Sequence, residues 1–472
     1  MFRNLAVALS LLVAAPALAQ QINEQVLTTT RDQVQRQERA ARESTDANEY
    51  FRGLGNARTG LRAGGWMSFT FIDFTDLLHA RSLRNPVDSL TLPDLRVWVS
   101  DTSHGNELYV RFRKSDFDFQ HDPAQPFLDT RTKDQFDLDL GWYDWAWGKA
   151  HVRAGRSFMF MGRGLVLADV YDGVQVRTRT KCGVELSGLY GTSLHRQDNL
   201  DTRVTGFDRG HNDRDFAGVQ ADYTTKKHQI HYDAFALAQI DRTRSEDPAQ
   251  DALDFRYQSH YFGAGSSGVW HKRLSYANET VLERGSSAGF DGGRADVSAW
   301  ASTAAFDYSF PGKNTPSITL DYAYGSGDSN RQSVTSSLDL GASRFTGDKN
   351  FLYFGQYDGG LALAPRLSNI EVWRLGARCR PFPGAMRWPS DMLAGFKVSD
   401  YHKNRVTGVI SDPLATQPFS HVGTAVDLFM SWKILSDLNL LVEYGSFKPS
   451  SAYAPDARDL TERFAVTSTL TF

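Results

Sequence analysis

The sequence predicts an all-β fold, a transmembrane antiparallel up-and-down β-barrel of about 18 strands with short periplasmic turns and long extracellular loops. Three observations lead to this prediction. Apolar and polar residues alternate along many segments, the connections between these segments alternate between short and long, and the composition suits strands with one lipid-facing side.

The alternation is clearest between residues 95 and 179, where 95–99 reads LRVWV and 108–113 reads LYVRFR. A period of two is that of a strand whose two faces meet different media. Extended along the chain, with turn residues as boundaries, the pattern predicts about eighteen strands, an even number as in bacterial single-chain barrels. They are 62–74, 93–101, 106–114, 134–147, 149–158, 172–180, 182–191, 216–225, 228–240, 255–263, 269–283, 295–310, 316–325, 368–380, 390–401, 421–433, 436–447 and 462–472.

The connections between the predicted strands sort by parity. Those that follow even-numbered strands are short, and those that follow odd-numbered strands are mostly long, up to the segment 326–367. Short turns on one rim and long loops on the other are typical of an outer-membrane barrel with both termini on the periplasmic side. A β-propeller or a β-sandwich would not sort its connections in this way. The predicted short turns are 102–105, 148, the turn near 181, 226–227, 264–268, 311–315, 381–389 and 435–436.

Composition agrees with a barrel and argues against other classes. Aromatic residues make up 12% of the chain and hydrophobic residues 41%, with 39 glycines. A formal net charge of -3 gives no general attraction to nucleic acid, so we expect no nucleic-acid partner. The two cysteines, Cys182 and Cys379, have no matching histidine spacing, and Ser420 and His421 show no specific catalytic pattern. We therefore expect a protein that is not an enzyme and has no catalytic residue, cofactor or metal site.

The two ends of the chain carry targeting signals. Arg3, the apolar run 5–15 and the small residues 17–19 predict a signal peptide over residues 1–19. Residues 20–57 are polar and predict a periplasmic leader, which leaves 58–472 for the outer-membrane barrel. No later segment is apolar enough for a spanning helix. These signals place the protein in the bacterial outer membrane.

The last predicted strand, 462–472, alternates and ends in Phe472. It resembles the C-terminal signal that the barrel-assembly machinery reads, so we expect that machinery and outer-membrane lipid as partners. The alternative is an amphipathic edge strand that ends in an aromatic residue by chance.

Strand parity assigns side chains to the lumen. Apolar residues such as Leu95, Val97, Leu140 and Trp142 are expected to face lipid, with Tyr143 inside. The charged residues predicted to line the lumen are Arg96, Arg111, Arg113, Asp137, Asp139, Arg153, Arg177, Arg179, Arg374, Arg378 and Lys397. Guanidinium groups bind carboxylates in a bidentate manner, so one interpretation is a ladder of arginines for an anionic solute. The alternative is that these arginines pair with neighbouring aspartates and only fill the lumen.

Several segments resemble the alginate-export family of outer-membrane porins. They are 94–113, the run from the RAGR sequence at 153–156 through 162–164 to 172–176, 368–380 and 422–472. The resemblance implies an 18-stranded barrel that passes an anionic exopolysaccharide through a narrow pore lined by arginine and lysine, which bind uronate carboxylates. By position in the matching strands it carries that role to Arg96, Arg111, Arg113, Arg153, Arg177, Arg374 and Arg378.

One feature departs from the family. Its members fold long loops into both mouths, including a periplasmic loop before the penultimate strand, whereas 432–437 here reads as a tight turn. Periplasmic gating would then come from the leader or be absent.

Three functions remain open at this point. The leading hypothesis is passive, anion-selective passage of an anionic polysaccharide or oligosaccharide, such as an alginate-like uronate polymer, with export partners in the periplasm. The second is an uptake porin for small anions such as sugar acids or carboxylates. The third is an outer-membrane enzyme or a structural barrel with a filled lumen.

Overall fold

The computed structural model describes residues 60–472, apart from 77–78, 80–87, 117, 121–134, 194–213, 227–229, 243–256, 271, 289–293, 332–346, 384–390 and 413. The predicted signal peptide, 1–19, and the predicted leader, 20–57, lie outside the described residues.

Eighteen long strands form the fold. In chain order they are β1 Gly60–Thr75, β2 Ser89–Ser103, β3 Asn106–Ser115, β4 Gln135–Trp147, β5 Ala150–Met161, β6 Leu167–Arg179, β7 Glu185–Thr192, β8 Arg214–Thr224, β9 His231–Asp241, β10 Gln258–Trp270, β11 Leu274–Ala288, β12 Arg294–Ser309, β13 Ser317–Gly325, β14 Ile370–Cys379, β15 Met392–Lys403, β16 His421–Lys433, β17 Leu438–Pro449 and β18 Thr461–Thr471. Two short pieces, Asp118–Gln120 and Gly347–Asp348, pair at the ends of β2 and β12, and Pro455–Ala457 forms one turn of 3₁₀-helix.

The strands close into an antiparallel barrel. Each strand pairs with the next along the chain, and β1 also pairs with β18, from Trp66 opposite Thr471 to Thr75 opposite Glu462. Closure leaves no long unpaired edge, which would otherwise expose backbone donors and acceptors. Among the described residues, no helix is both long enough and apolar enough to cross a membrane. The predicted fold class, with 18 strands, is confirmed.

The connections follow the predicted parity with a few differences in length. We call the rim at the ends of β1 and β3 the long-loop rim and the opposite rim the short-turn rim. The connection 434–437 between β16 and β17 is tight, as predicted. The connection 162–166 on the long-loop rim is shorter than predicted, and β11 extends to Ala288, further than predicted.

One predicted turn is wrong. Residues 264–268 lie inside β10 and pair with β11, and the turn comes later, at Lys272 and Arg273. The glycines of this segment were interpreted as turn residues, but inside β10 they allow close packing. A Cβ on Gly263 would lie 2.1 Å from the Phe235 ring, and one on Gly265 would lie 2.7 Å from Asp233 Oδ1.

A β-bulge in β4 corrects the predicted faces of that strand. Arg111 pairs with Leu140 and Phe112 with Leu138, so Asp139 is an extra residue. Beyond a bulge the alternation shifts by one position. Leu140 and Trp142, predicted to face lipid, are therefore buried, at 7% and 8% exposure, whereas Tyr143, predicted to lie inside, is 43% exposed.

A hydrophobic cluster fills one side of the barrel interior. Its members come from the inner faces of β5, β6 and β8–β17, from other connections at the long-loop rim, and from the segment 351–367, which precedes β14 and folds into the lumen. Phe354 packs on Phe216 at a centroid distance of 5.2 Å, and its backbone N donates to Val166 O at 2.8 Å. Tyr261 donates to Leu352 O at 3.0 Å. We call 351–367 the inserted loop.

Candidate functional site

Three of the predicted lumen arginines meet on neighbouring strands β2 and β3. Arg96 binds both carboxylate oxygens of Asp94, through Nε and Nη2 at 3.2 Å each, and Arg113 Nε donates to Asp94 Oδ2 at 3.0 Å. Arg111 Nε donates to Asp139 Oδ2 at 2.6 Å. Strand alternation directs all of these side chains inward, so the sequence placed them on the correct face.

Burial separates these arginines into two kinds. Arg96 and Arg111 are 1% and 0% exposed, and their guanidinium carbons lie 5.4 and 5.1 Å from the centroid of the Trp66 ring. They are fixed both by carboxylates and by an aromatic face. The side chain of Arg113 is 16% exposed and stands opposite Asp137 in the strand register. Arg113 is therefore the member of the group that a solute can reach.

Arg153 belongs to a second group, nearer the short-turn rim. It donates to Asp144 Oδ2 through Nε at 3.3 Å and Nη2 at 3.1 Å, and its guanidinium carbon lies 3.8 Å from the Trp142 ring centroid. Trp142 stacks on Tyr109 at 5.2 Å, and Tyr109 on Trp98 at 5.9 Å. This aromatic row depends on the bulge that turned Trp142 inward.

The other predicted residues near the short-turn rim are more scattered. Arg177 is half-buried on β6 opposite His151, and Arg179 is exposed at the end of that strand. Arg378 donates to Ser317 Oγ at 3.0 Å and to Asp307 Oδ2 at 2.7 Å. The structure does not bring these three residues into one site.

Arg374 and Lys397 hold the inserted loop. Both bind Asp358 Oδ2, from Nη1 at 3.2 Å and from Nζ at 2.9 Å, and Arg374 Nη2 also donates to Asp358 O at 2.9 Å. Desolvation alone would raise the pKa of the Asp358 carboxyl, but the charges of Arg374 and Lys397 hold that pKa well below its ordinary value. Asp358 is therefore a charged anchor at neutral pH.

Three further wall residues fix the tip of the inserted loop. Tyr401 donates to Gly359 O at 2.8 Å, Arg463 Nη1 donates to Leu361 O at 3.2 Å, and Leu361 N donates to Asp427 at 3.3 Å. Sequence reasoning missed Asp358 and Arg463 in this role. Strand alternation carries no information about a loop, so no sequence signal identified Asp358 as the common contact of Arg374 and Lys397.

One stretch of the inner wall lies outside the hydrophobic cluster. None of the described residues of the cluster lies on β1–β4 or β18. We call the inner faces of β18 and β1–β5, as far as Arg153, the polar arc. Its described charged residues are the arginines Arg62, Arg96, Arg111, Arg113, Arg153 and Arg463 and the carboxylates Asp94, Glu107, Asp137, Asp139 and Asp144. The polar arc therefore has one more positive than negative charge.

A closed 18-stranded barrel with an apolar outer belt and a polar inner arc defines an outer-membrane channel protein. A model of the alginate export family matches residues 78–466, and the chain belongs to that family. None of the curated proteins matches the sequence. The protein is located in the bacterial outer membrane.

Solved structures of outer-membrane proteins share this fold at low sequence identity. OccAB2 of Acinetobacter baumannii is 10% identical, with a TM-score of 0.54 over 87% of this chain and 98% of its own. OccK2 (OpdF) of Pseudomonas aeruginosa, solved in complex with glucuronate, is 12% identical, with a TM-score of 0.53 over 87% of this chain and 98% of its own. OccK11 (OpdR) of the same organism is also 12% identical, with a TM-score of 0.50 over 89% and 99%.

Proposed function

We propose that this channel passes anionic saccharides, with uronate polymers or oligomers as the substrate class, along the polar arc. The observation that supports the proposal is the arrangement of the lumen. Hydrophobic packing joins the inserted loop to most strands from β5 to β17, and the wall outside this cluster carries guanidinium groups on β2, β3 and β5.

The ion pairs of the arc fit transport better than tight binding. Arginines that already share a carboxylate bind a passing uronate weakly, and conduction needs several modest sites rather than one strong site. The excess of one positive charge favours anions without trapping them. Family membership and the fold shared with a glucuronate-bound channel support the same substrate class.

The test is the reversal potential of single channels in a salt gradient, compared between two matched variants. Arg113→Gln removes the most accessible charge among the three arginines of β2 and β3. Lys114→Gln removes the same charge from the next residue, which stands between Leu95 and Phe136 on the outer face. We expect anion selectivity in the wild type, a loss of selectivity in Arg113→Gln, and no change in Lys114→Gln. Cation selectivity in the wild type would contradict the proposal.

A second candidate function is the uptake of small anions such as sugar acids. The inserted loop favours it, because the side chains of Phe351 and Phe354 and the tip at Asp358 occupy lumen that a polymer would otherwise use. A polymer channel and a small-solute channel differ in how blockage depends on the length of the solute.

A further inference from the structure

Three potential metal ligands meet on the outer face of the barrel, away from the lumen. Asp400 and His402 lie at the end of β15 and His421 at the start of β16, all beside the long-loop rim. The residues between and beside them, Ser399, Tyr401 and Lys403, are buried on the inner side. Alternation therefore directs Asp400 and His402 outward.

A register shift brings His421 to the same face. Tyr401 pairs with Gly423, but His402 pairs with His421, so Val422 has no partner on β15. In a regular ladder His402 would stand opposite Val422, and His421 would point to the other face. β-Bulges re-aim side chains in this way. The product of this irregularity is a pair of histidines stacked with their ring centroids 5.0 Å apart.

Both imidazoles direct the same nitrogen to one carboxylate. His402 Nε2 lies 2.8 Å from Asp400 Oδ2, and His421 Nε2 lies 2.9 Å from Asp400 Oδ1. One ligand atom from each of the three residues lies within 4.8 Å of the others. A small adjustment of rotamers would let the three atoms surround a single ion.

Neighbouring hydroxyls orient the ligands. Ser450 Oγ lies 2.8 Å from His421 Nδ1, and Thr424 Oγ1 donates to Asp400 Oδ1 at 3.2 Å. If a metal binds Nε2, the imidazole proton resides on Nδ1, and Ser450 Oγ can accept it. Such contacts to the second nitrogen fix ring orientation in metal sites.

We propose that Asp400, His402 and His421 bind a divalent transition metal, with zinc as the best match. Two imidazoles and one carboxylate are zinc ligands, whereas calcium and magnesium prefer oxygen ligands alone. The ion ties the ends of β15 and β16 together at the long-loop rim and, through Ser450, reaches the connection after β17. Glu371 stands opposite His402 in the register with β14 and offers a further carboxylate.

The test is zinc binding to the intact, chelator-treated barrel in detergent, measured by isothermal titration calorimetry. We expect one zinc ion per chain in the wild type and loss of that binding in His402→Ala and in His421→Ala. Ser450→Ala should weaken binding about 10- to 100-fold, the usual effect of removing an orienting contact. The control is His151→Ala, which removes a histidine that faces a single carboxylate, Asp144, at 3.4 Å.

Channel conductance, recorded for every variant, shows that the barrel is folded. Absence of zinc binding in the wild type would overturn the proposal. Binding that persists unchanged in the His402→Ala, His421→Ala double variant would overturn it as well.

Discussion

At the scale of single residues, the arginines of the lumen are held by the wall. Arg111 is fully buried and pairs with Asp139, while Arg96 pairs with Asp94 and lies within 3.6 Å of Asp139. Desolvation of such charges is costly, and the structure compensates it with short contacts to carboxylates. These two arginines therefore stabilise the wall, and Arg113 is the more accessible member of the group.

We expect Arg111→Met to destabilise the barrel strongly. The substitution leaves the carboxylate of Asp139 without its closest cation, and breaking a buried pair on one side costs about 3–5 kcal/mol. The measurement is urea unfolding of the barrel in detergent. The double variant Arg111→Met, Asp139→Leu removes both charges and should recover much of the loss. Equal stability of the single variant and Lys114→Met, its outward-facing control, would contradict the prediction.

The sequence predicted the residue-scale picture as far as regular alternation extends. Arg96, Arg111 and Arg113 lie on the predicted face because β2 is regular and β3 alternates throughout. Tyr143 and Trp142 do not, because the bulge at Asp139 shifts the alternation and nothing in the sequence LDLGW marks it. The pairing of Arg111 with Asp139 was among the alternatives that the sequence left open, whereas Asp94 was not singled out from its position on β2.

At the scale of elements, the inserted loop is seated by close backbone contact. Gln356 N donates to Gly164 O at 2.8 Å, and Phe354 N to Val166 O, so the loop runs beside the short connection 162–166. A Cβ on Gly355 would lie 1.9 Å from Gly164 O. Only glycine permits this approach.

We expect Gly355→Ala to displace the inserted loop. The added methyl group collides with backbone oxygens that cannot move aside, and overpacking of this kind typically costs about 1–3 kcal/mol. Thermal unfolding should begin at a lower temperature, and single-channel conductance should rise. Gly347→Ala is the control, since its Cβ would meet only Asp296 O at an ordinary 3.6 Å. Identical behaviour of the two variants would show that the loop does not depend on this contact.

Asp358→Asn tests the anchor at the tip of the loop. The neutral amide no longer attracts Arg374 and Lys397, so we expect a less tightly held tip and a higher, noisier single-channel conductance. Gln356→Ala changes an exposed side chain of the same loop and should leave the conductance unchanged. A wild-type conductance in Asp358→Asn would contradict the role of this carboxylate.

The low pKa of Asp358 also predicts how the anchor responds to acid. A depressed folded-state pKa means that the stabilisation is fully present above the ordinary aspartate pKa of about 3.9 and is lost only as the pH falls through the lower folded value. Lowering the pH from about 7 to about 5 should therefore not release the Asp358 anchor, and the wild-type conductance should not rise for that reason. A conductance increase on reaching about pH 5, absent from Asp358→Asn, would contradict the prediction.

The strands could be predicted from the sequence, whereas the insertion of the loop 351–367 into the lumen could not. Period-two alternation and turn residues located β3, β13 and β16 closely, but the glycines at 265 and 268 imitated a turn because packing glycines and turn glycines look alike in sequence. The insertion of 351–367 depends on contacts with Phe216 and Tyr261, which are far away in the sequence. Tyr261, for example, is separated by 91 residues from its partner Leu352. Local sequence does not encode such contacts.

At the scale of the whole molecule, the barrel is divided into a packed side and a polar side. The hydrophobic cluster joins the inserted loop to most strands from β5 to β17, and the polar arc comprises β18 and the first strands. The N- and C-terminal strands thus meet on the side of the polar arc. The proposed passage of anionic saccharides along the polar arc depends on this division.

The most direct test of this account is block of the channel current by oligouronates of increasing length, with neutral oligosaccharides of the same lengths as the control. Successive carboxylates on one chain can contact successive arginines of the arc, so we expect block by oligouronates to strengthen with length and neutral oligosaccharides to block weakly. Arg113→Gln should reduce the block by oligouronates, and Lys114→Gln should not. Equal block by charged and neutral oligosaccharides, in the wild type and in both variants, would contradict passage of anionic saccharides along the polar arc.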